Sequence, residues 1–418
     1  MTNAGNQYLK GIKDVVFDIE LKQNFQENAG FKLSLARFSS AMQALSDAPE
    51  LFTTTPKVEI GNNSTGPSFT FQTKLSKEAN DLSINFNFNP TPDIPNRINV
   101  VIGYNGTGKT QLLSKLATVT SGYGYKRKKD LLSSETGKFV DSAPNFGGVV
   151  VVSYSAFDTF EIPGQDESER SHLDLDGGFF GYTYCGLRKV IRSDNNEPIY
   201  GLKDHREIRA EYSSALHRIR EQGRQEIFLK ILAPITNEAS FQKIGISQGA
   251  NSLLDDQNFL LLSTGHKIVL TIVAQLTSLL EKERRMLVIM DEPEAHLHPP
   301  LLASLLHSFR ICMEEFDAYS IISTHSPVVL QETPSKYVRI LRRIGNSSQV
   351  SLPLIETFGE NIGVITKDIF NLSDETTDWH DVLNALAKDH SLETIEEKFG
   401  KRLGFSARSY VMSLIDER

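Results

Sequence analysis

The chain has 418 residues, of which 39% are apolar, 9% aromatic and 23% charged, proportions of a folded globular protein that exclude a collagen-like repeat, a free coiled coil and a disordered chain. That length leaves room for two or three lobes. With 52 acidic against 44 basic side chains the net charge is −8, so the surface as a whole is not built to coat nucleic acid or an anionic membrane.

The predicted elements begin with strands. Phe31, Leu33 and Leu35, then Phe69, Phe71, Thr73 and Leu75, then Ile84, Phe86 and Phe88 alternate with polar neighbours, a period of two that predicts an antiparallel β lobe over residues 1–96. Pro90, Pro92 and Pro95 punctuate the chain before a buried strand at 98–102, a glycine-rich turn and a helix. Four valines at 149–152 predict a strand covered on both faces. From 158 to 257 the pattern turns helical or mixed, and Ile208, Tyr212, Ala215, Leu216 and Ile219 mark a helix from about His205 to Glu221. Buried strands follow at 286–290 and around 320–322, and the stretch from Asp378 onward reads as helices broken at Gly400 and Gly404. The two cysteines, Cys185 and Cys312, are too few for a disulfide framework or a four-ligand zinc site and fit a reducing cytoplasm. No secretory leader is read in residues 1–18, and the most apolar helix candidate, 268–280, is shorter than the ~20 residues a bilayer span needs. These features predict a cytoplasmic protein without membrane partners.

Three stretches carry chemistry. Gly103-Tyr104-Asn105-Gly106-Thr107-Gly108-Lys109-Thr110 satisfies G-x-x-x-x-G-K-[ST] between a strand and a helix. Glycines let backbone N–H groups wrap phosphates at a helix N-terminus, Lys109 reaches the β- and γ-phosphates, and Thr110 ligates Mg²⁺. The apolar strand Leu287-Val288-Ile289-Met290 ends in Asp291 and Glu292; the first carboxylate is placed to hold Mg²⁺ and the second to polarise an attacking water. Between these two stretches, Ser263 and Gly265 open a helix expected to begin near Lys267, a second helix-terminus anion site. His325 follows a further strand. Glu294, His296 and His298 could be read as a metal cluster, but the spacing lacks the third fixed ligand of a zinc site. The basic runs Lys126 to Lys129 and Arg339 to Arg343 could touch DNA phosphates, or could simply be a solvated loop and an edge strand.

The order of these motifs resembles ABC-type ATPases. Leu262-Ser263-Thr264-Gly265-His266-Lys267 is similar to their L-S-x-G-Q or L-S-x-G-E-K signature, with His266 in place of the amide or carboxylate. Asp291-Glu292-Pro293-Glu294-Ala295-His296-Leu297-His298-Pro299 resembles the matching stretch of the SMC and OLD-like branch, which includes AAA_21- and AAA_15-like proteins. The glutamine that usually follows the 149–152 strand is not evident, since Ser153, Tyr154 and Ser155 stand there. Asn105, Ser153 to Asp158 and Glu356 to Asn361 are further similar to ATPase subunits of Septu-type anti-phage systems and retron-associated relatives.

The resemblance implies an α/β, ABC-type P-loop ATPase head with an antiparallel β lobe, an inserted helical lobe and a C-terminal helical tail. Its expected parts are 1–96, the N-terminal β lobe; 97–157, the first part of the P-loop core; 158–257, the inserted helical or mixed lobe; 258–345, the core with signature, acidic strand and switch histidine; and 346–418, a mainly helical tail. It implies ATP and Mg²⁺ as ligands, with Gly103, Asn105, Gly106, Thr107, Gly108, Lys109 and Thr110 around the nucleotide. Thr110 and Asp291 would hold the metal, Glu292, His325 and Lys109 would be catalytic, and Ser263 and Gly265 would act in trans within at least a homodimer. Residues 326–418 contain no D-x-D pair of the kind a TOPRIM nuclease uses, so the implied partner is a separate nuclease subunit, HNH-type if Septu-like. The helices at 379–388 and 391–399 are candidates for docking it or for packing on the head. A RecF- or SMC-like DNA repair ATPase is the alternative, with a transporter's ATP-binding subunit behind it.

Overall fold

The computed structural model of the protein describes residues 8–25, 28, 66–123 apart from 77 and 92, 136–140, 143–164, 181–192, 198–243, 257–370 apart from 283, and 378–416. In chain order these form helix α1 (Ile19–Phe25), strands β1 (Ser68–Thr73), β2 (Leu82–Asn87) and β3 (Ile98–Ile102), helix α2 (Lys109–Ser121), and strands β4 (Lys138–Phe139), β5 (Val149–Ser153), β6 (Tyr182–Gly186), β7 (Arg188–Arg192) and β8 (Pro198–Leu202). Helices α3 (His205–Glu221), α4 (Gln225–Thr236), α5 (Ala239–Lys243) and α6 (Thr264–Leu279) come next. Strand β9 (Leu287–Asp291), helix α7 (Pro299–Glu315), strand β10 (Tyr319–Thr324), helix α8 (Pro327–Gln331) and strands β11 (Val338–Ile344) and β12 (Ser347–Ser351) follow. The last helices are α9 (Ile362–Phe370), α10 (Asp378–Asp389), α11 (Leu392–Lys398) and α12 (Phe405–Asp416).

The valine- and isoleucine-rich runs become the interior of a seven-stranded sheet of order β12-β11-β3-β10-β9-β5-β6, because β-branched side chains suit a pleated surface covered on both faces. Every pairing in it is parallel except β11 with β12. The register sets Thr324 opposite Ile102, and Ser323 and Ser153 opposite Asp291, so the loops after β3, β5, β9 and β10 leave from one carboxyl edge. In an open α/β sheet that edge is where ligands bind.

On one face, alternate residues Val101, Val149, Val151, Leu287, Ile289 and Ile321 meet Leu112, Leu113 and Leu116 of α2 in a common buried cluster. A three-stranded antiparallel sheet, β2-β1-β4, adds its inward side chains Phe69, Phe71, Ile84 and Phe86 to that cluster. Its alternating burial is the period-two pattern read from the sequence. Helix α3 starts at a reciprocal cap, in which Asp204 accepts from the N–H of Glu207 and Glu207 accepts from the N–H of Asp204. It packs on α6, and α4 packs on α7.

Several expectations change on contact with the structure. Phe31, Leu33 and Leu35 lie outside the described residues, and Ile19–Phe25, within the expected β lobe, is helical. Strand β6, within the expected insert, is an edge strand of the main sheet, drawn there by parallel pairing with β5. Strand β12, within the expected tail, closes the opposite edge. The run Arg339 to Arg343 is not an edge strand, since β11 lies between β12 and β3. Arg339 is buried and donates to the carbonyls of Asn85, Lys336 and Val338, so it cannot reach a nucleic-acid phosphate. The run Lys126 to Lys129 lies outside the described residues. Among the described residues no helix is long and apolar enough to cross a membrane.

Residues 361–418 form a compact unit distinct from 1–360, built around Leu383, Ala387, Ile395 and Val411. Since each unit encloses its own buried cluster, a chain ended after Glu360 should keep a cooperative thermal transition. Loss of that transition in calorimetry would show that the head's core depends on the last 58 residues.

Candidate functional site

The glycine-rich turn after β3 sits at the carboxyl edge and caps α2. Gly108 has φ 97°, a left-handed conformation that favours glycine, and a Cβ there would also press on Leu75 Cδ1 at 2.8 Å. Gly103 is buried, whereas Tyr104, Asn105 and Gly106 are exposed and leave their surroundings open to a ligand. Thr107 is buried and ties the turn by donating its hydroxyl to the Tyr104 carbonyl at 2.9 Å.

Lys109 is buried, and its ammonium folds back on its own loop, donating to the carbonyls of Gly103 at 3.1 Å and Tyr104 at 3.4 Å. Burial lowers its pKa, against the raising influence of Glu292, Asp291 and Glu294. His325 Nε2 lies 2.7 Å from the Lys109 nitrogen and 3.0 Å from Glu292 Oε1. One ring nitrogen therefore either accepts from the ammonium or donates to the carboxylate, and the tautomer selects which. The bond with His325 holds the Glu292 carboxyl below its usual range, against the opposing effect of burial. Glu292 takes φ 49°, a left-handed conformation rare for a residue with a Cβ, while its N–H donates to the Ser323 carbonyl at 2.9 Å.

Asp291 accepts from the Thr110 hydroxyl at 2.9 Å and from the Ser323 hydroxyl. Burial pushes its carboxyl up to about 6, despite the lowering effect of those two bonds. Ser153, opposite Asp291 in the sheet, has a buried hydroxyl without a hydrogen-bond partner among the described residues. An acid, a hydroxyl and an orphaned oxygen form a hard donor set, and Thr110 and Asp291 fit a hydrated Mg²⁺.

The signature helix α6 begins at Thr264, three residues before the expected start, with Ser263 as its N-cap. A Cβ on Gly265 would come within 2.9 Å of the His296 carbonyl, which explains the glycine by close approach. The Ser263 hydroxyl bonds to His266 in its own helix and not to the phosphate loop. Ser263 therefore spends its side chain within α6 and shares no side-chain hydrogen bond with Lys109, Thr110, Asp291, Glu292 or His325.

Glu294, weighed in sequence only as a metal ligand, accepts from the Thr324 hydroxyl at 2.9 Å and from the backbone N–H of His325 at 2.5 Å. It thus holds the loop that carries His325. His298 caps α7, and that helix begins only at Pro299, after a turn. Among the described residues no group of three or more His, Cys, Asp or Glu converges as a metal site. Asp158, which the sequence marks only as the last residue of the stretch from Ser153, is buried and accepts from Tyr184 and from Arg188, each at 2.7 Å. An acid five residues past the end of β5 was the signal available for it.

Residues 98–331, more than half of the chain, match the family model described as "AAA domain, putative AbiEii toxin, Type IV TA system". The chain belongs to this AAA_21 family. Protein ea59 of Escherichia phage lambda is 28% identical over 378 residues, covering 84% of this chain and 68% of that protein. Among solved structures, the SMC head domain from Thermotoga maritima is 13% identical with a TM-score of 0.32, over 69% of this chain and 100% of that one. RNase-L Inhibitor is 14% identical with a TM-score of 0.32 over 70% of this chain, which spans only 40% of that protein. The fold stands on the sheet order and register above. Membership of the AAA_21 family implies nucleotide binding.

The raised Asp291 carboxyl has a consequence for stability. An acid whose pKa rises from 3.8 to about 6 on folding costs nothing below the lower value, and its full penalty applies above the higher one. With divalent ions chelated, Asp291→Asn should therefore raise the melting temperature at pH 8 and leave it nearly unchanged at pH 4. Equal melting of both forms at pH 8 would contradict the burial account.

Proposed function

We propose that this chain is the ATP-binding and ATP-hydrolysing subunit of a bacterial anti-phage defence complex, cytoplasmic, at least dimeric, and acting by gating a separate nuclease. The observation that carries the ATPase reading is the convergence of Lys109, Thr110, Asp291, Glu292 and His325 at one carboxyl edge. Support for the defence role comes from the family description, which refers to a toxin of a type IV system, and from a relative in a phage genome. Residues 326–418 contain no D-x-D pair, which favours a nuclease on another chain, HNH-type if the complex is Septu-like.

In this reading the N–H groups around Gly106 to Thr110 and the Lys109 ammonium bind the β- and γ-phosphates, so Lys109 exchanges its loop carbonyls for phosphate oxygens. Thr110 and Asp291 would hold Mg²⁺, which when bound neutralises charge on the phosphates. Glu292 accepts a proton from the attacking water, and His325 turns from Glu292 to the γ-phosphate. Ser263 and the N–H of Gly265 meet the same phosphate from a second copy, a reading supported by the Ser263 hydroxyl bonding within its own helix and not to the phosphate loop.

Glu292→Gln should preserve ATP binding while lowering turnover by about 10²–10⁴-fold, the usual contribution of a general base. Unchanged turnover would remove Glu292 from its role. Lys109→Ala should weaken binding itself in an equilibrium titration with labelled ATP. Mixing Lys109→Ala and Ser263→Arg chains should restore one working site in each mixed dimer, whereas absence of rescue in such heterodimers would mean that sites are built in cis. The purified chain alone should hydrolyse ATP and leave DNA intact with Mg²⁺ or Mn²⁺; cleavage that survives purification would overturn the separate-nuclease reading.

A further inference from the structure

The buried His266 stands where the resembling signature carries an amide or a carboxylate, and both of its ring nitrogens are engaged. Nδ1 lies 2.8 Å from Ser263 Oγ and Nε2 lies 2.8 Å from Ser240 Oγ. Ser240 in turn contacts Glu238 through its hydroxyl and through its N–H, the latter at 2.8 Å. His298 completes the group, with Nε2 at 3.3 Å from Ser240 Oγ and Nδ1 accepting from the N–H of Leu301. Phe241 packs edge-on against the His266 ring, with centroids 4.5 Å apart.

Donor and acceptor roles follow from elimination. An ionised carboxylate can only accept, so the Ser240 hydroxyl donates to Glu238. Ser240 Oγ then accepts from His266 Nε2–H, which leaves Nδ1 of the neutral ring as an acceptor. The Ser263 hydroxyl must donate its single proton to that nitrogen, while its oxygen also accepts from the His266 N–H at 3.4 Å. Ser263 is exposed, yet in this state it offers solvent a lone pair and no proton. A phosphate oxygen is repelled by such a group.

We infer that His266 is a positioning residue for Ser263, and that the Glu238–Ser240–His266 relay decides whether the serine hydroxyl can donate to a phosphate oxygen of a nucleotide held by a second copy of the chain. This rests on the dimeric reading above. The proton on Ser263 is released in one of two ways. Either its bond to Nδ1 breaks and leaves a buried nitrogen unpaired, or His266 gains a proton, so that both nitrogens donate and the serine turns outward. Phosphate engagement and protonation of His266 therefore favour each other.

The groups facing the ring set the direction. Burial lowers the His266 pKa, the Glu238 carboxylate raises it and His298 lowers it, with burial dominant. The ring is thus neutral in the free chain near neutral pH, and its proton affinity rises when a phosphate meets Ser263. A site whose pKa rises on association favours association fully below the free value, and the benefit is lost as pH increases through the bound value.

The test uses the full chain carrying Glu292→Gln, so that bound ATP is not turned over, and measures the ATP-driven dimer dissociation constant by sedimentation from pH 6 to 8.5. Dimerisation should weaken by up to about tenfold per pH unit for each signature serine, the limit for one linked proton. His266→Gln in the same background should flatten this dependence. Ser240→Ala keeps the ring but removes the acceptor for Nε2–H, so it should also flatten the dependence by freeing the Nδ1–H tautomer, even if the first variant folds poorly. Identical pH dependence in all three would overturn the relay while leaving the dimer standing. Absence of an ATP-driven dimer at every pH would overturn the dimeric reading and the relay with it.

Discussion

The parallel register of β3, β10, β9 and β5 is the constraint on which the site depends. It brings Ile102, Thr324, Asp291 and Ser153 to one level, so four loops far apart in the chain begin side by side. The edge collects a buried ammonium and a buried carboxylate whose pKa values burial shifts toward neutrality. Neither charge is stable alone in such a place. Lys109 is kept by two loop carbonyls and His325, and Asp291 by two hydroxyls, a set of bonds that polyanionic phosphates and a cation can replace with stronger ones.

A single short segment braces this edge to the signature helix. Glu294 holds the N–H of His325, the His296 carbonyl packs against Gly265, and His298 caps α7 and reaches Ser240. Every second residue after Glu292 therefore has a structural duty toward a different element. The histidines that look like a metal motif in sequence are used for capping and close packing.

Much of this was legible from spacing. The glycine-rich turn, the acidic end of β9 and the histidine after β10 are local patterns between apolar runs, and helix α3 was readable because five buried positions recur at its period. What sequence concealed depends on partners distant in the chain. The role of Glu294 appears only when β9 and β10 lie in register, because its acceptor duty toward His325 spans 31 positions. The relay behind Ser263 crosses from α6 to the start of α5, 26 positions away. Strand β6 carries Tyr182, Thr183 and Tyr184, a mixed run that reads as a strand of no particular sheet until β5 offers it an edge. Arg339 looked like part of a solvated basic run because burial of its guanidinium is compensated by three carbonyls that no local pattern announces.

Gating of a partner requires an element with two arrangements of similar free energy, each favoured by a different ligand state. In the proposed reading His325 would supply the local part of such an element, since its Nε2 cannot bond Lys109 and Glu292 with the same lone pair or proton. In the proposed reading, a phosphate that draws Lys109 away would leave His325 to choose between Glu292 and the phosphate, on a loop whose backbone N–H is held by Glu294. The exchange at His325 is local, one hydrogen bond given up for another, and such an exchange moves an equilibrium by only a few kcal/mol, about what a switch requires. A partner that contacts the two arrangements differently then senses the nucleotide, and by reciprocity its own binding changes how tightly the site holds phosphate.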